Sequence, residues 1–268
     1  MWRAENWADF LPATLGYSSP PVDLYAVARH RRVKQLRMRL MVPRGVLVPA
    51  DGGFEVYLRD LIRRDIDISG SEPTNLLSSR QRFSFAHEIA HTYYYKLSGS
   101  IPISDHVISN PVDLEDHCDR TAARILVPTA LLRQEIKKKI GDPENIDEAF
   151  IRSAATSFRT SIPVMIERLS IVAPSNPFER CVVLVRRLEG DAQIRASYFG
   201  VGLLPILPRP RKNTRVSEWL ADFPLPAIAN REDSDWRVTR AGRLVSFMKR
   251  ELGSGTDFLL QAQVATSQ

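Results

Sequence analysis

The stretch Arg82-Phe83-Ser84-Phe85-Ala86-His87-Glu88-Ile89-Ala90-His91 constrains this chain more than any other. Two histidines four residues apart, with a glutamate directly after the first, form an H-E-x-x-H pattern. At about 100° per helical residue, His87 and His91 fall roughly 40° apart on one helix face, one turn apart along the axis. Two imidazole nitrogens can then reach one metal ion at about 2.0–2.1 Å. Glu88 projects about 60° round from His91, close enough to touch a water on that ion without displacing it. A general base needs that position. Phe83, Ala86, Ala90, Tyr93 and Leu97 recur at helical spacing, so an amphipathic helix is expected here, with Gly99 as its stop. The competing explanation is an accidental surface helix. With five histidines in the chain, chance yields this pattern in well under about 1% of such sequences.

A catalytic site of this kind needs a third protein ligand and an open fourth position. Downstream, Leu114, Cys118, Ala122, Ile125 and Leu126 mark the buried stripe of a second helix that Pro128 ends. Glu115, His117 and Cys118 are the candidate ligands on it. Thiolates more often mark structural zinc sites, and the chemistry alone leaves Glu115 and His117 nearly level.

Arg-Phe-Ser-Phe-Ala-His-Glu-Ile-Ala-His, followed by Glu115-x-x-Cys118-Asp119-x-x-Ala122-Ala123-x-Ile125-Leu126-Val127-Pro128, resembles the ImmA/IrrE family of metallo-endopeptidases. Members show R-F-[ST]-x-A-H-E-[LI]-[GA]-H and then E-x-x-[AC]-[ND]-x-F-A-A-x-[LI]-L-[MV]-P. The resemblance implies one zinc ion held by His87, His91 and Glu115, with Glu88 as the catalytic base. Asp119 matches the Asn/Asp position, one turn from Glu115, and is expected to orient a ligand histidine. Thr121 departs from the family's Phe, which bears on local packing rather than on the metal site.

The expected fold class is α+β: a zincin-like metallopeptidase domain over residues 1–128, with a small sheet and the helix carrying the two histidines. A helix-turn-helix-like extension over residues 129–173 follows, packed on that domain, then a C-terminal α+β accessory domain over residues 178–268. At 268 residues, with 44% hydrophobic and 25% charged residues, the composition is that of an ordinary soluble protein. No apolar run approaches a membrane span, and no secretory h-region opens the chain. Two cysteines, Cys118 and Cys181, read as buried thiols in a reducing, cytoplasmic setting. The net charge of +6 permits nucleic-acid contact without requiring it.

Along the chain, Asp23 is expected to cap a short helix from Leu24 to about His30. The basic run Arg29, Arg31, Arg32, Lys34, Arg37 and Arg39 reads first as a solvated face and second as a patch for nucleic acid or an acidic partner. Residues 45–49 and 54–58 read as a hairpin about Asp51-Gly52-Gly53. By resemblance, its second strand, at Val56 and Tyr57, is the candidate substrate-binding strand, pairing with peptide backbone. Tyr93, Tyr94 and Tyr95 read as packing residues, and His106 as a rim residue of the cleft. Residues 148–158 and 162–171 form the helical pair, whose second helix opens with apolar residues and so suits packing better than base reading. Beyond a linker at 173–177, strands are expected at 181–185, 194–199 and 258–264. Helices are expected at 216–221 and 241–250, and a second basic patch at Arg209, Arg211, Lys212 and Arg215.

The leading functional expectation is a zinc endopeptidase. By resemblance, its substrate would be a helix–turn–helix repressor in a stress or transcriptional response, with no membrane involved. The alternative is a zinc-containing regulatory or DNA-binding protein with little or no proteolysis; a binding-only toxin–antitoxin component is a third. Intact Glu88 argues against the non-catalytic readings, because a structural site needs no base.

Overall fold

The computed structural model describes residues 4–97, 100–104, 111–142, 146–172, 180–188, 191–199, 213–219, 234–240, 243–252 and 257–264. The chain forms two compact units, residues 1–132 with 155–161, and residues 133–154 with 162–268. Gly99, His106, the linker at 173–177, the turn at Gly190 and the patch residues Arg209, Arg211 and Lys212 lie outside the described residues.

The first unit runs α1 (Ala4–Leu15), α2 (Leu24–His30), β1 (Val33–Arg39), β2 (Gly45–Ala50), β3 (Gly53–Arg59), β4 (Arg64–Ile66), α3 (Ser79–His91), β5 (Tyr95–Lys96), β6 (Ile103–Ser104) and α4 (Pro111–Leu126). Asp23 starts α2 by accepting the Tyr25 and Ala26 N–H groups at 2.9 and 3.3 Å. β2 and β3 form the hairpin, with Gly52 at φ +69° in its turn. β1 joins β3 in parallel and β4 joins β1 antiparallel, giving the order β2-β3-β1-β4. β3 therefore has both edges paired, and β2 keeps a free one. Leu36, Met38, Phe54, Val56 and Leu58 are fully buried on the inner face of this sheet, where α3 packs against β2 and β3.

A Ser78–Gln81 capping box opens α3: the Ser78 hydroxyl accepts the Gln81 N–H at 3.2 Å, and the Gln81 carbonyl accepts the Ser78 N–H at 3.1 Å. One residue on, Arg82 is fully buried. It pairs with Glu72 and donates to the Val22 carbonyl at 2.9 Å. Glu72 also accepts the Leu24 N–H at 3.1 Å and faces Arg159 at 3.5 Å. One buried carboxylate thus ties the start of α2, the 67–77 loop and α3 together.

α3 ends at His91 and does not run on to Leu97; Thr92–Tyr94 is a 3₁₀ turn. The Thr92 hydroxyl bonds back to the Ile89 carbonyl at 2.6 Å, and Arg31 donates to the Thr92 carbonyl at 2.9 Å. Arg31 also stacks 4.1 Å over the Tyr93 ring, while Tyr95 meets Phe54 edge-on at 5.2 Å. These tertiary partners override the helical spacing of Tyr93 and Leu97, and they make Tyr93 and Tyr95 packing residues.

The basic run on α2 and β1 serves the fold. Arg29 donates to the Ile68 and Gly70 carbonyls, and Arg32 to Leu97 at 3.0 Å. Lys34 reaches the Asp51 carbonyl at 2.6 Å, Arg37 pairs with Glu55 at 3.1 Å, and Arg39 pairs with Asp65.

α4 packs along α3 and α1, burying Cys118, Ala122, Ile125 and Leu126. Arg124 pairs with Asp9 at 2.7 Å. Thr121, where the resembled family prefers Phe, is fully buried, and its hydroxyl has no hydrogen-bond partner among the described residues.

The second unit contains most of α5 (Thr129–Lys139) and of α6 (Glu148–Ser157), then α7 (Ile162–Val172), β7 (Arg180–Leu188), β8 (Asp191–Phe199), α8 (Val216–Trp219), β9 (Ser234–Arg240), β10 (Arg243–Leu252) and β11 (Asp257–Val264). Its strands form an antiparallel sheet in the order β8-β7-β11-β10-β9, with α7 on β8. The expected helix over 241–250 is corrected: residues 243–252 are a strand paired with β11 on one side and β9 on the other. Non-local pairing decided a segment whose own periodicity was ambiguous. The Val164, Met165, Ile166 and Leu169 side chains at the start of α7 are buried, as its apolar opening implied. The whole is a mixed α+β chain, and no helix among the described residues is long and apolar enough to cross a membrane.

Removing the Arg82 side chain leaves Glu72 as a buried charge without its main partner. Arg82→Ala should therefore lose about 3–5 kcal/mol of stability. Chemical denaturation of both proteins reads this directly; a loss under about 1 kcal/mol would show that water replaces the pair.

Candidate metal centre

His87 and His91 share one face of α3, and α4 lies alongside with Glu115 one turn before Asp119. His87 Nε2 is 3.0 Å from His91 Nε2 and 3.1 Å from a Glu115 carboxylate oxygen; His91 Nε2 is 3.4 Å from the other oxygen. Donors on a tetrahedral ion with bonds of about 2.0–2.1 Å stand about 3.3 Å apart. The spacing fits such an ion.

Proton bookkeeping supports the fit. Asp119 accepts a hydrogen bond from His87 Nδ1 at 2.8 Å, so the proton of a neutral imidazole sits on that nitrogen. His87 Nε2 then offers a lone pair towards a carboxylate and a second imidazole. With His91 Nε2 also unprotonated, the three residues could hold one cation. Burial pulls the His87 imidazole down, but its hydrogen bond to Asp119 and the charges of Glu88, Asp119 and Glu115 leave it above its ordinary value. His91 is pushed below its ordinary value by burial and then by the charge of His87. That keeps an unprotonated nitrogen available.

Glu88 is almost completely buried, at 6% exposure. Burial raises its carboxyl to about 7, against the opposing pull of His87 and a hydrogen bond from the Leu47 N–H. A base with a value near neutrality suits proton transfer in both directions. Its other neighbour is Gly45. A Cβ on that residue would lie 2.4 Å from Glu88 Oε1, so only glycine leaves the carboxylate its place. Sequence reading missed Gly45 and Leu47; the available signal was a glycine in a strand, which often marks close approach of another group.

Pro43, Arg44, Gly45 and Val46 from the β2 side, Arg80, Phe83, Ser84, His87, Glu88 and His91 from α3, and Glu115 and Asp119 from α4 line a cleft of about 470 Å³. The structure thus brings His87, Glu88, His91, Glu115 and Asp119 into one site. It does not bring in Val56 or Tyr57. Val56 is fully buried in the core, and Tyr57 bonds Glu55 at 2.7 Å beside Arg37, on the strand face opposite Val56. Because β3 is paired on both sides, it has no edge to offer a peptide. The free edge at the cleft belongs to β2. His117 pairs with Arg120 at 2.9 Å and stands outside the ligand group. Cys118 is held as the neutral thiol, first by burial and then by the surrounding carboxylates. Glu115 is the third donor of the candidate site.

An H-E-x-x-H helix with a glutamate from a neighbouring helix, beside a small sheet whose edge strand β2 lines the cleft, is an arrangement suited to a metallopeptidase. The comparison with protein families agrees: residues 73–170 match the model of the peptidase M78 family, described as an IrrE N-terminal-like domain. The match spans both motifs and covers under half of the chain. No curated protein matches the sequence.

Two outcomes follow from the geometry. Asp119→Ala frees the His87 ring and should weaken zinc binding about 10–100-fold, measured by competition with a chromogenic chelator. In the metal-free protein, raising the Glu88 value from 4.5 to about 7 means that the fold binds its proton more tightly than the unfolded chain does. That contribution to stability is full below pH 4.5 and is lost as pH rises through about 7. Glu88→Gln removes the loss. The melting temperature of the metal-free variant should exceed wild type above pH 7, with the gap closing towards pH 4.5. A gap that does not change with pH would refute the assignment.

Proposed function

We propose that this chain is a zinc-dependent endopeptidase. The observation that carries the reading is the convergence of His87 Nε2 and His91 Nε2, each within 3.4 Å of a Glu115 carboxylate oxygen, beside a nearly buried Glu88. His87, His91 and Glu115 would hold the ion, and Asp119 fixes the His87 tautomer. When bound, zinc supplies a Lewis acid that polarises a peptide carbonyl and acidifies water. Glu88 takes the proton from the attacking water and returns it to the leaving amine. Gly45 and the Leu47 N–H hold the Glu88 carboxylate for both transfers. The free edge of β2 offers backbone groups to an extended peptide, which would enter the cleft as an added strand.

The resemblance to ImmA/IrrE peptidases points to a regulatory protein, a helix–turn–helix repressor, as the substrate, and to a role in transcriptional or stress control. Incubating the zinc-loaded chain with a repressor encoded beside it, and reading fragments by mass spectrometry, tests this. The DNA-binding reading draws on the basic run at 29–39. The internal engagement of Arg29, Arg31, Arg32, Lys34, Arg37 and Arg39 favours the peptidase instead.

Glu88→Gln should keep its zinc and lose turnover at least about 10²-fold, as expected when general base catalysis is removed. His87→Ala should lose both. Gly45→Ala should keep zinc while kcat falls with little change in KM, because the added methyl displaces the base and not the substrate. A Glu88→Gln protein that still cleaved would end this mechanism.

A further inference from the structure

The cleft is electrically lopsided. Along its α3 wall, Arg80, Ser84, His87 and His91 follow one another from the first turn of the helix to the last. The carboxylates at the far end are all engaged: Glu115 with the two imidazoles, Asp119 with His87, and Glu88 with Leu47. Arg80 stands at the other end of the helix wall, and Arg44, just before β2, also lines the cleft. Both are exposed.

In the same unit Arg29, Arg31, Arg32, Arg37, Arg39, Arg59, Arg64 and Arg82 each donate to a backbone carbonyl or pair with a carboxylate. The guanidinium groups of Arg44 and Arg80 make no hydrogen bond or ion pair among the described residues. Arg80 also sits in the first turn of α3, which contains no acidic residue. A cation is disfavoured there by the helix dipole. Two arginines without a partner among the described residues therefore line one cleft, one of them at an electrostatically unfavourable position.

From this we infer that the Arg44–Arg80 end of the cleft binds an acidic side chain of the polypeptide substrate, so that cleavage sites carry Asp or Glu at a fixed distance on one side of the cut. The inference rests on the peptidase reading for the identity of the occupant. The shape favours a peptide over a nucleic acid: the arginines open into a cleft beside Phe83, Ser84 and a free strand edge, and are not spread along a face. A guanidinium fork suits a carboxylate in two-point contact.

The test uses the zinc-loaded full chain in the Glu88→Gln background, which binds without cutting. It is immobilised and offered a library of randomised peptides, and bound peptides are sequenced. Asp and Glu should be enriched about tenfold at one position, as two exposed ion pairs would give. The enrichment should fade at several hundred millimolar salt. In Arg44→Gln/Arg80→Gln/Glu88→Gln it should disappear while zinc content is unchanged. Identical peptide composition with and without the two arginines overturns the inference, as does displacement of the peptides by duplex DNA only when both arginines are present. In parallel, the active chain is given a proteome-derived peptide mixture and its cut sites are mapped. Cuts without an acidic preference overturn this inference and leave the endopeptidase reading standing. Arginine-dependent acidic binding without cuts removes the endopeptidase reading and leaves the anionic subsite.

Discussion

Two imidazole nitrogens 3.0 Å apart, each within 3.4 Å of an oxygen of one carboxylate, are the constraint on which the rest of the first unit depends. Two imidazoles and a carboxylate this close together offer a shared set of lone pairs to a cation. The fold holds them there through features with no chemical role of their own. α4 lies along α3, Asp119 fixes one ring, and the Arg82–Glu72 pair anchors the histidine helix to the loop before it and to the start of α2. A buried ion pair is a poor source of net stability. Its value here is geometric, because it specifies where α3 begins relative to the sheet and therefore where His87 and His91 point.

The sheet supplies the second half of the arrangement. Because β1 runs parallel to β3 and separates it from β4, the hairpin presents β2 to the cleft. β2 serves the site twice. Its missing Cβ at Gly45 admits the Glu88 carboxylate, and its Leu47 N–H steadies that carboxylate. The base is held against backbone, which moves less than side chains do, and burial brings its proton affinity near neutrality. The same burial makes an ionised Glu88 costly in the metal-free fold.

The chemistry of the site was legible in the sequence because it is local. His87, Glu88 and His91 lie within one helical turn, and Glu115 and Asp119 are again one turn apart. The choice of Glu115 over His117 was not legible from chemistry alone; it needed the family resemblance, and in the structure His117 faces Arg120. Local capping was also readable, as at Asp23 and the Asp51-Gly52 turn. What escaped was non-local. The end of α3 at His91 depends on Arg31 reaching Thr92 from another helix. Val56 and Tyr57 stand away from the cleft because strand order, which leaves β2 and not β3 with a free edge, is invisible to hairpin patterning. Residues 241–250 read as a helix, and residues 243–252 are a strand between two partners. Gly45 was passed over because a glycine's role here lies in what approaches it from another element.

X-ray absorption at the zinc edge of the metal-loaded chain tests the central claim most directly. The account predicts one zinc ion per chain with only nitrogen and oxygen neighbours, two of them imidazole, and loss of one oxygen neighbour in Glu115→Ala. A sulfur neighbour from Cys118, or a ligand shell unchanged by Glu115→Ala, would contradict it.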